Sequence, residues 1–338
     1  MKQNLIETVN EYLSLGINQQ LDYEKFYLYS IITHSTAIEG STVTEIENQL
    51  LFDEGISTNK SMAEQLMNLD LKKAYEQSFI YAKSHADFSI ELLCSLAALV
   101  MQNTGSTYKT IGGDFSSAKG DLRFLNVSAG RGGKSYLAWQ KVPDRLQKFC
   151  NWLNAERKAV DKNDIHKLYE LSFEAHYHIV SIHPWADGNG RMSRLVMNMI
   201  QYEAGCIPSI VKKEKRAEYI QSLAQSQEKD DSEDFIDFMM NHHVDNLQKQ
   251  IDEYKASMES DDIKGGQKIS VGGQKKWSET TLKILELIKQ NPKISRKELC
   301  GELGINPSAV QKHIEKLKET KMIERLGGAK GGEWRVNK

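Results

Sequence analysis

The amino-acid sequence predicts a mainly α-helical fold with one β-hairpin, followed by a small, separate C-terminal domain. Only five prolines occur in 338 residues, and long stretches carry apolar residues at the i, i+3 and i+4 spacing of amphipathic helices. The composition also changes near residue 257, where Gly, Ser, Lys and Gln replace large apolar residues. These observations predict an N-terminal helical region (1–95), a helical core (96–250), a flexible linker (251–275) and the C-terminal domain (276–338).

Composition and charge narrow the class of protein. The chain is 40% hydrophobic and 27% charged, with a mean hydropathy of −0.53, which is typical of globular proteins. No apolar run is long enough to cross a membrane and no secretory signal is visible, so we expect a cytoplasmic protein without a membrane partner. Four widely spaced cysteines without a C-x-x-C pair argue against a zinc module and fit that reducing compartment.

The net charge of −2 is a cancellation between two oppositely charged parts of the chain. Residues 275–338 contain 15 basic and 8 acidic side chains, a balance of +7. The preceding residues carry a balance of −9. A basic C-terminal domain is a footprint typical of nucleic-acid binding.

The segment 105–142 interrupts the helical pattern, because it is dense in Gly, Ser and Thr. Short β-favouring pieces at 124–127 and 136–139 predict a β-hairpin or flap in this segment. Residues 128–135 (SAGRGGKS) are similar to a phosphate-binding P-loop. However, serine stands at the first position, where that motif needs glycine, and no buried strand precedes it, so a flap loop is favoured.

The stretch His183–Arg194 (HPWADGNGRMSR) joins two helical patterns and carries the chemistry. Its Gly-Asn-Gly turn presents backbone N–H groups at a helix N-terminus, which is a ready anion site. Arg191 and Arg194 are three residues apart and share one helix face. With Asp187, these groups suit nucleotide phosphates and a divalent cation. A neutral imidazole at His183 is suited to take a proton from an incoming hydroxyl.

This stretch resembles the Fic-domain signature H-x-F-x-[DE]-G-N-G-R-x-x-R, with Trp185 in place of the usual Phe. Gly120, Arg123 and Val127 resemble the family's flap motif, with Leu122 in place of its aromatic residue. The resemblance covers roughly residues 30–250. It implies an all-helical Fic fold with a β-hairpin flap. It also implies transfer of AMP from ATP to a Ser, Thr or Tyr hydroxyl of a target protein that docks at the flap.

The resemblance also implies a role for each matching residue. His183 would be the general base, and Asp187 would hold Mg²⁺ between the α- and β-phosphates. Tyr219 lies in a segment similar to the border of the family's adenosine pocket, where it either contacts the base or packs in the core. The implied phosphate-binding residues are Gly188, Asn189, Gly190, Arg191 and Arg194.

Ser35, Glu39 and Gly40 form a second motif. Taken alone, Glu39-Gly40 is a helix C-terminus with a glycine cap. The spacing S-x-x-x-E-G nevertheless resembles the inhibitory-helix motif of autoinhibited Fic proteins. This implies that Glu39 pairs with Arg194, while Ser35 contacts the anion site or caps the helix. Removal of AMP, or transfer of another phosphate-containing group, remains open at this point.

The C-terminal domain predicts helix, helix, tight turn, helix and hairpin, which is the order of a winged helix-turn-helix. The first predicted helix spans 278–290. The second begins at the capping box 295–298, and the third runs from 306 to about 319. Predicted strands at 322–326 and 333–336 follow. Candidate DNA-contacting residues are Gln311, Lys312, Lys316 and Lys330. Protein contact or dimerisation is the competing interpretation. The alternative for the whole chain is therefore a nucleotide-sensing DNA-binding regulator, and the sequence leaves a homo-oligomer open.

Overall fold

A computed structural model describes residues 2–129, 135–263, 279–303, 307–319, 322–326 and 333–336. The chain divides into two compact units, Met1–Gly265 and Gly266–Lys338. Across the described ranges, no helix is long and apolar enough to cross a membrane. Both units are mainly helical, as predicted.

The first unit contains helices and one two-stranded sheet. The elements are α1 (Lys2–Ser14), α2 (Tyr23–Ile38), α3 (Glu45–Gln49), α4 (Met62–Lys83), α5 (Ile90–Val100), β1 (Thr107–Thr110), β2 (Gly113–Ser116), α6 (Val142–Ala159), α7 (Ile165–Ile182), α8 (Asn189–Glu203), α9 (Arg216–Lys229) and α10 (Glu233–Ile263). One hydrophobic core lies among α4 to α8, and a second lies among α1, α7, α9 and α10.

Helix α8 is the centre of the first unit, because it is buried along nearly its whole length. A helix buried on all sides must satisfy its polar side chains internally. Asn198 accepts a hydrogen bond from the Tyr75 hydroxyl (2.8 Å) and donates to the carbonyl of Ser209 (2.9 Å). Gln201 donates to the hydroxyls of Ser172 and Ser209. These buried hydrogen bonds hold α8 in place, and with it the N-terminal turn that carries the predicted anion site.

A β-hairpin lies within the predicted segment 105–142, but earlier than the two pieces that the sequence favours as strands. Strand β1 pairs antiparallel with β2, with Thr107 opposite Ser116. The predicted pieces 124–127 and 136–139 are not strands, although the backbone N–H of Tyr136 donates to the Val127 carbonyl. The Arg123 guanidinium binds the carbonyls of residues 125 and 137, so these carbonyls do not form a ladder.

The predicted linker begins later than expected, because α10 continues through Ile263. Its residues Leu247 and Ile251 are fully buried in the second core, and Lys255 forms an ion pair with Glu11 of α1. Contacts with the second core thus reach Ile251 and the half-buried Tyr254, at the start of the predicted linker. The boundary between the two units falls within the predicted linker, whose residues 264–275 lie outside the described residues.

The second unit has the winged helix-turn-helix order that the sequence predicts. Its elements are α11 (Glu279–Gln290), α12 (Arg296–Leu303), α13 (Pro307–Glu319), β3 (Ile323–Leu326) and β4 (Glu333–Val336). The two strands pair antiparallel, with Ile323 opposite Val336. The Trp334 indole N–H donates to the carbonyl of Ile294 (3.1 Å), which closes the hairpin over a core of Ile284, Ile288 and Leu299.

Two glycines test how tightly the first unit is packed. Gly120 (φ +74°) and Gly205 (φ +72°) share a left-handed backbone, but a Cβ at Gly120 would lie 2.0 Å from the Cys94 carbonyl oxygen, whereas one at Gly205 would meet nothing within 4 Å. We expect Gly205→Ala to lower the free energy of unfolding by about 1–2 kcal/mol and Gly120→Ala to lower it further. Urea denaturation would measure both, and equal losses would contradict the packing described.

Candidate active site

The loop between α7 and α8 is held in a sharp turn by its own side chains. His183 adopts the left-handed conformation (φ 51°) and ends α7. Trp185 is 1% exposed, and its indole N–H donates to the Gly120 carbonyl (3.1 Å). The Asn189 side chain accepts from the Trp185 N–H (3.1 Å) and donates to the Trp185 carbonyl (2.9 Å). Asn189 therefore uses its side chain to fix the loop, which leaves its backbone N–H for an anion.

Gly188 and Gly190 allow other groups to approach the first turn of α8 closely. A Cβ at Gly188 would lie 2.9 Å from the Met101 sulfur, and one at Gly190 would lie 2.5 Å from Glu39 Oε1. The first N–H groups of a helix lack intrahelical partners and lie at the positive end of its dipole. The Glu39 carboxylate is therefore placed where an anion is favoured.

Arg194 is 3% exposed and makes its contacts mainly with α2. Its Nη2 donates to Glu39 Oε1 (2.6 Å) and to the Ser35 carbonyl (3.0 Å), and its Nε donates to Ser35 Oγ (2.8 Å). Burial raises the pKa of Glu39, but the charge and hydrogen bond of Arg194 outweigh burial and lower that pKa below its ordinary value. Glu39 and Arg194 are therefore an ionised pair. Gly40 follows with φ +104°.

Arg191 has different partners from Arg194. It donates to the Val100 carbonyl (3.3 Å) and the Met101 sulfur (2.9 Å), and its Nη2 lies 3.8 Å from Asp187 Oδ1. The Asp187 side chain is 60% exposed and accepts from the Gly188 N–H (2.6 Å). Among the described residues, no three His, Cys, Asp or Glu side chains cluster into a metal site. Asp187 is the exposed carboxylate beside the anion site.

The His183 ring lies between the loop and the flap. It stacks on Tyr136, with ring centroids 4.0 Å apart, and the Arg123 Nε donates to the His183 carbonyl (2.7 Å). Burial, followed by the charge of Arg123, lowers the pKa of His183 to about 4. The imidazole is therefore neutral near pH 7 and able to accept a proton.

Tyr219 lies behind Arg194, with 2% of its surface exposed. Its hydroxyl is 3.4 Å from Arg194 Nη1 and 2.9 Å from His176 Nε2. This position favours the packing interpretation of Tyr219 over contact with a base. Sequence reasoning missed His176, although its spacing of two helical turns from His183 was a signal. Sequence reasoning also missed the stacking of Tyr136, for which no local pattern exists.

In the second unit, Gln311, Lys312 and Lys316 lie on α13, as the sequence predicts. The Gln311 side chain accepts from Arg296 and donates to Glu315. Lys330 lies outside the described residues. The structure therefore places three of the four candidates on one helix.

Comparisons with known proteins agree with this geometry. Residues 87–201 match the model of the Fic/DOC family, and residues 278–324 match a winged helix-turn-helix DNA-binding model. The chain is 27% identical over 241 residues to a protein adenylyltransferase, fic-1, of Caenorhabditis elegans, covering 70% of this chain and 43% of that protein. It is 29% identical over 208 residues to protein adenylyltransferase Fic of Drosophila mojavensis, covering 59% and 36%. The chain thus spans less than half of these relatives.

Solved structures show the same fold. A Fic-domain signaling protein from Bacteroides thetaiotaomicron matches with a TM-score of 0.62 at 20% identity, covering 75% of this chain and 98% of that one. A Fic family protein from Desulfovibrio desulfuricans matches over 99% of this chain and 95% of its own, with a TM-score of 0.57 at 18% identity. The fold is therefore that of Fic proteins with a winged helix-turn-helix domain. The chain contains a Fic domain and is homologous to the Fic adenylyltransferases.

The ionisation of His183 can be measured directly. We expect its imidazole to titrate with a midpoint of about 4 instead of 6.5, because burial and Arg123 disfavour the cation. Stability from this group is then complete above about pH 6.5 and is lost as the pH falls towards 4. NMR titration would show this, with the signal assigned by its loss in His183→Asn. A midpoint near 6.5 would contradict the buried position of the ring.

Proposed function

We propose that the first unit transfers AMP from ATP to a Ser, Thr or Tyr hydroxyl of a target protein. The observation that carries this proposal is the placement of His183 directly before a helix N-terminus that carries Arg191 and Arg194. The target oxygen attacks the α-phosphorus while His183 accepts its proton, and pyrophosphate leaves. Arg191 and Arg194 neutralise the charge of the phosphates. Positioning of the reactants and electrostatic stabilisation therefore supply most of the reduction in the activation barrier. The names of the homologous adenylyltransferases support the same reaction.

Asp187 is the residue that would hold Mg²⁺. Magnesium at nucleotide sites is usually bound through one or two carboxylates together with substrate phosphates. The exposed carboxylate of Asp187 beside the anion site fits this donor set. The ion would supply charge neutralisation at the phosphates.

The target protein docks at the flap in this proposal. Ser128 and Ser135 form an isolated antiparallel bridge, and the flap is tied to the catalytic loop by Arg123. An extended target segment adding to the flap would bring its hydroxyl to His183.

The proposal also includes autoinhibition by Glu39. Its carboxylate binds Arg194 and lies beside Gly190, so it takes the position of a phosphate anion. A nucleotide triphosphate then loses one arginine clamp and meets a like charge.

Removal of the Glu39 carboxylate should release self-labelling. With labelled ATP and Mg²⁺, we expect Glu39→Ala to label itself more than the wild type by roughly 5–150-fold, the usual span of a regulatory coupling. Glu24→Ala removes an exposed carboxylate at the other end of α2 and should match the wild type. His183→Ala added to Glu39→Ala should abolish labelling. Equal labelling of Glu39→Ala and wild type would contradict autoinhibition.

We propose DNA binding as a second function, carried by the second unit. The balance of +7 in residues 275–338 and the match to a DNA-binding family model favour it. In this arrangement α13 enters the major groove and its lysines contact phosphates.

Fluorescence anisotropy of the full chain with a labelled duplex would test DNA binding. We expect the affinity to fall steeply between about 50 and 200 mM salt. Lys312→Ala and Lys316→Ala should each reduce the salt slope by about 1, whereas Lys249→Ala, on α10, should not. Absence of binding at low salt would favour protein contact instead.

A further inference from the structure

Helix α2 holds Arg194 through two residues, Glu39 and Ser35, and the two contacts differ in kind. Glu39 supplies a negative charge, whereas Ser35 supplies two neutral acceptors, its hydroxyl and its carbonyl. We infer that Ser35 is a positioning residue, which keeps Arg194 oriented for phosphate when Glu39 withdraws, and that α2 stays in place in the active state. This inference rests on the proposed function of the site.

The end of α2 is built to present the Ser35 carbonyl to Arg194. In a regular helix this carbonyl would accept the N–H of Glu39, four residues later. Here the Glu39 N–H turns back to Thr36 instead (3.0 Å). The Ser35 carbonyl is thereby left for Arg194 Nη2, at the negative end of the helix dipole. This arrangement does not depend on the Glu39 side chain.

Further contacts fix the same helix end from other sides. Arg216 Nε donates to the Ile38 carbonyl (2.7 Å). The Thr36 hydroxyl donates to Asn68 Oδ1 (2.8 Å), and Asn48 Nδ2 donates to the same atom (2.9 Å) and to Thr33 Oγ1 (2.7 Å). The side chains of this last network are all buried. Displacing α2 would break these bonds together, leaving buried polar groups unpaired at about 1–3 kcal/mol each.

Glu39, by contrast, is free to move alone. Its side chain is 34% exposed, and it is the first residue after α2. Gly40 follows with φ +104°, and nothing lies within 4 Å of where a Cβ would stand there. Rotation of one side chain therefore opens the anion site without moving the helix.

A buried guanidinium needs hydrogen-bond acceptors in every state of the site. After Glu39 withdraws, Arg194 keeps Ser35 and Tyr219, and Tyr219 is in turn held by His176. These neutral partners orient the guanidinium without competing with an incoming phosphate for charge. The phosphate then takes the position that the carboxylate has left.

The test is a double-mutant cycle on the full chain, read by the affinity for ATP with Mg²⁺ in calorimetry and by self-labelling. We expect Ser35→Ala alone to give no rise in labelling. Added to Glu39→Ala, it should weaken ATP binding roughly tenfold, because the bond from the charged Arg194 Nε to the Ser35 hydroxyl is lost while the carbonyl remains, and it should raise KM more than it lowers kcat. Ser35→Thr keeps the hydroxyl and should retain the affinity of Glu39→Ala. Ser30→Ala, also on α2, is the matched control and should leave that affinity unchanged.

Two results would overturn the inference while leaving the proposed reaction intact. If Ser35→Ala alone increased self-labelling, Ser35 would belong to the autoinhibitory contact. If Glu39→Ala bound ATP equally well with and without Ser35→Ala, Ser35 would have no positioning role. If Ser35→Ala lowers the melting temperature, Ser35→Cys replaces the oxygen at similar size and decides the same question. If Glu39→Ala binds ATP but transfers no label, the proposed reaction fails while the affinities still test Ser35. Absence of ATP binding overturns both.

Discussion

The buried positive charge of Arg194 is the constraint on which the site depends. A guanidinium that is 3% exposed requires an acceptor for its donors. The end of α2 supplies acceptors from one side and Tyr219 of α9 supplies one from another. Because α8 is itself buried, neither neighbour can move far without leaving a charge unpaired. One side chain of α8 therefore connects the end of α2 with α9.

In the proposed function, the charge of Arg194 serves both phosphate binding and autoinhibition. An arginine that binds phosphate well also binds a carboxylate well, so a helix ending nearby needs one glutamate to close the site. The pKa of Glu39 is lowered because, against the opposing effect of burial, the charge and hydrogen bond of Arg194 stabilise the carboxylate. Autoinhibition of the proposed kind needs no separate regulatory domain, because the glutamate makes the contact with Arg194 that the substrate phosphate would make.

Local signals explain how much could be predicted from the sequence. The capping box at Ser295, the winged helix-turn-helix order and the loop from His183 to Arg194 depend on neighbours in the chain. The position of the hairpin does not depend on chain neighbours alone, because the Arg123 guanidinium binds carbonyls that would otherwise pair between strands. The extent of α10 depends on α1, more than two hundred residues away. The stacking of Tyr136 on His183 joins two segments that are far apart in the chain, and no repeating sequence pattern connects them.

The bonds of Arg123 have a consequence for how such a protein can change its partners. This side chain binds the carbonyls of His183, Leu125 and Leu137, and all three acceptors are backbone atoms. Any amino acid offers the same carbonyl, so the side chains of Leu125 and Leu137 can be exchanged without loss of these bonds, whereas Tyr136 contacts the histidine ring through its own side chain. In the proposed reaction, the residues that select a target could therefore change in evolution while the backbone bonds that hold the His183 loop are kept.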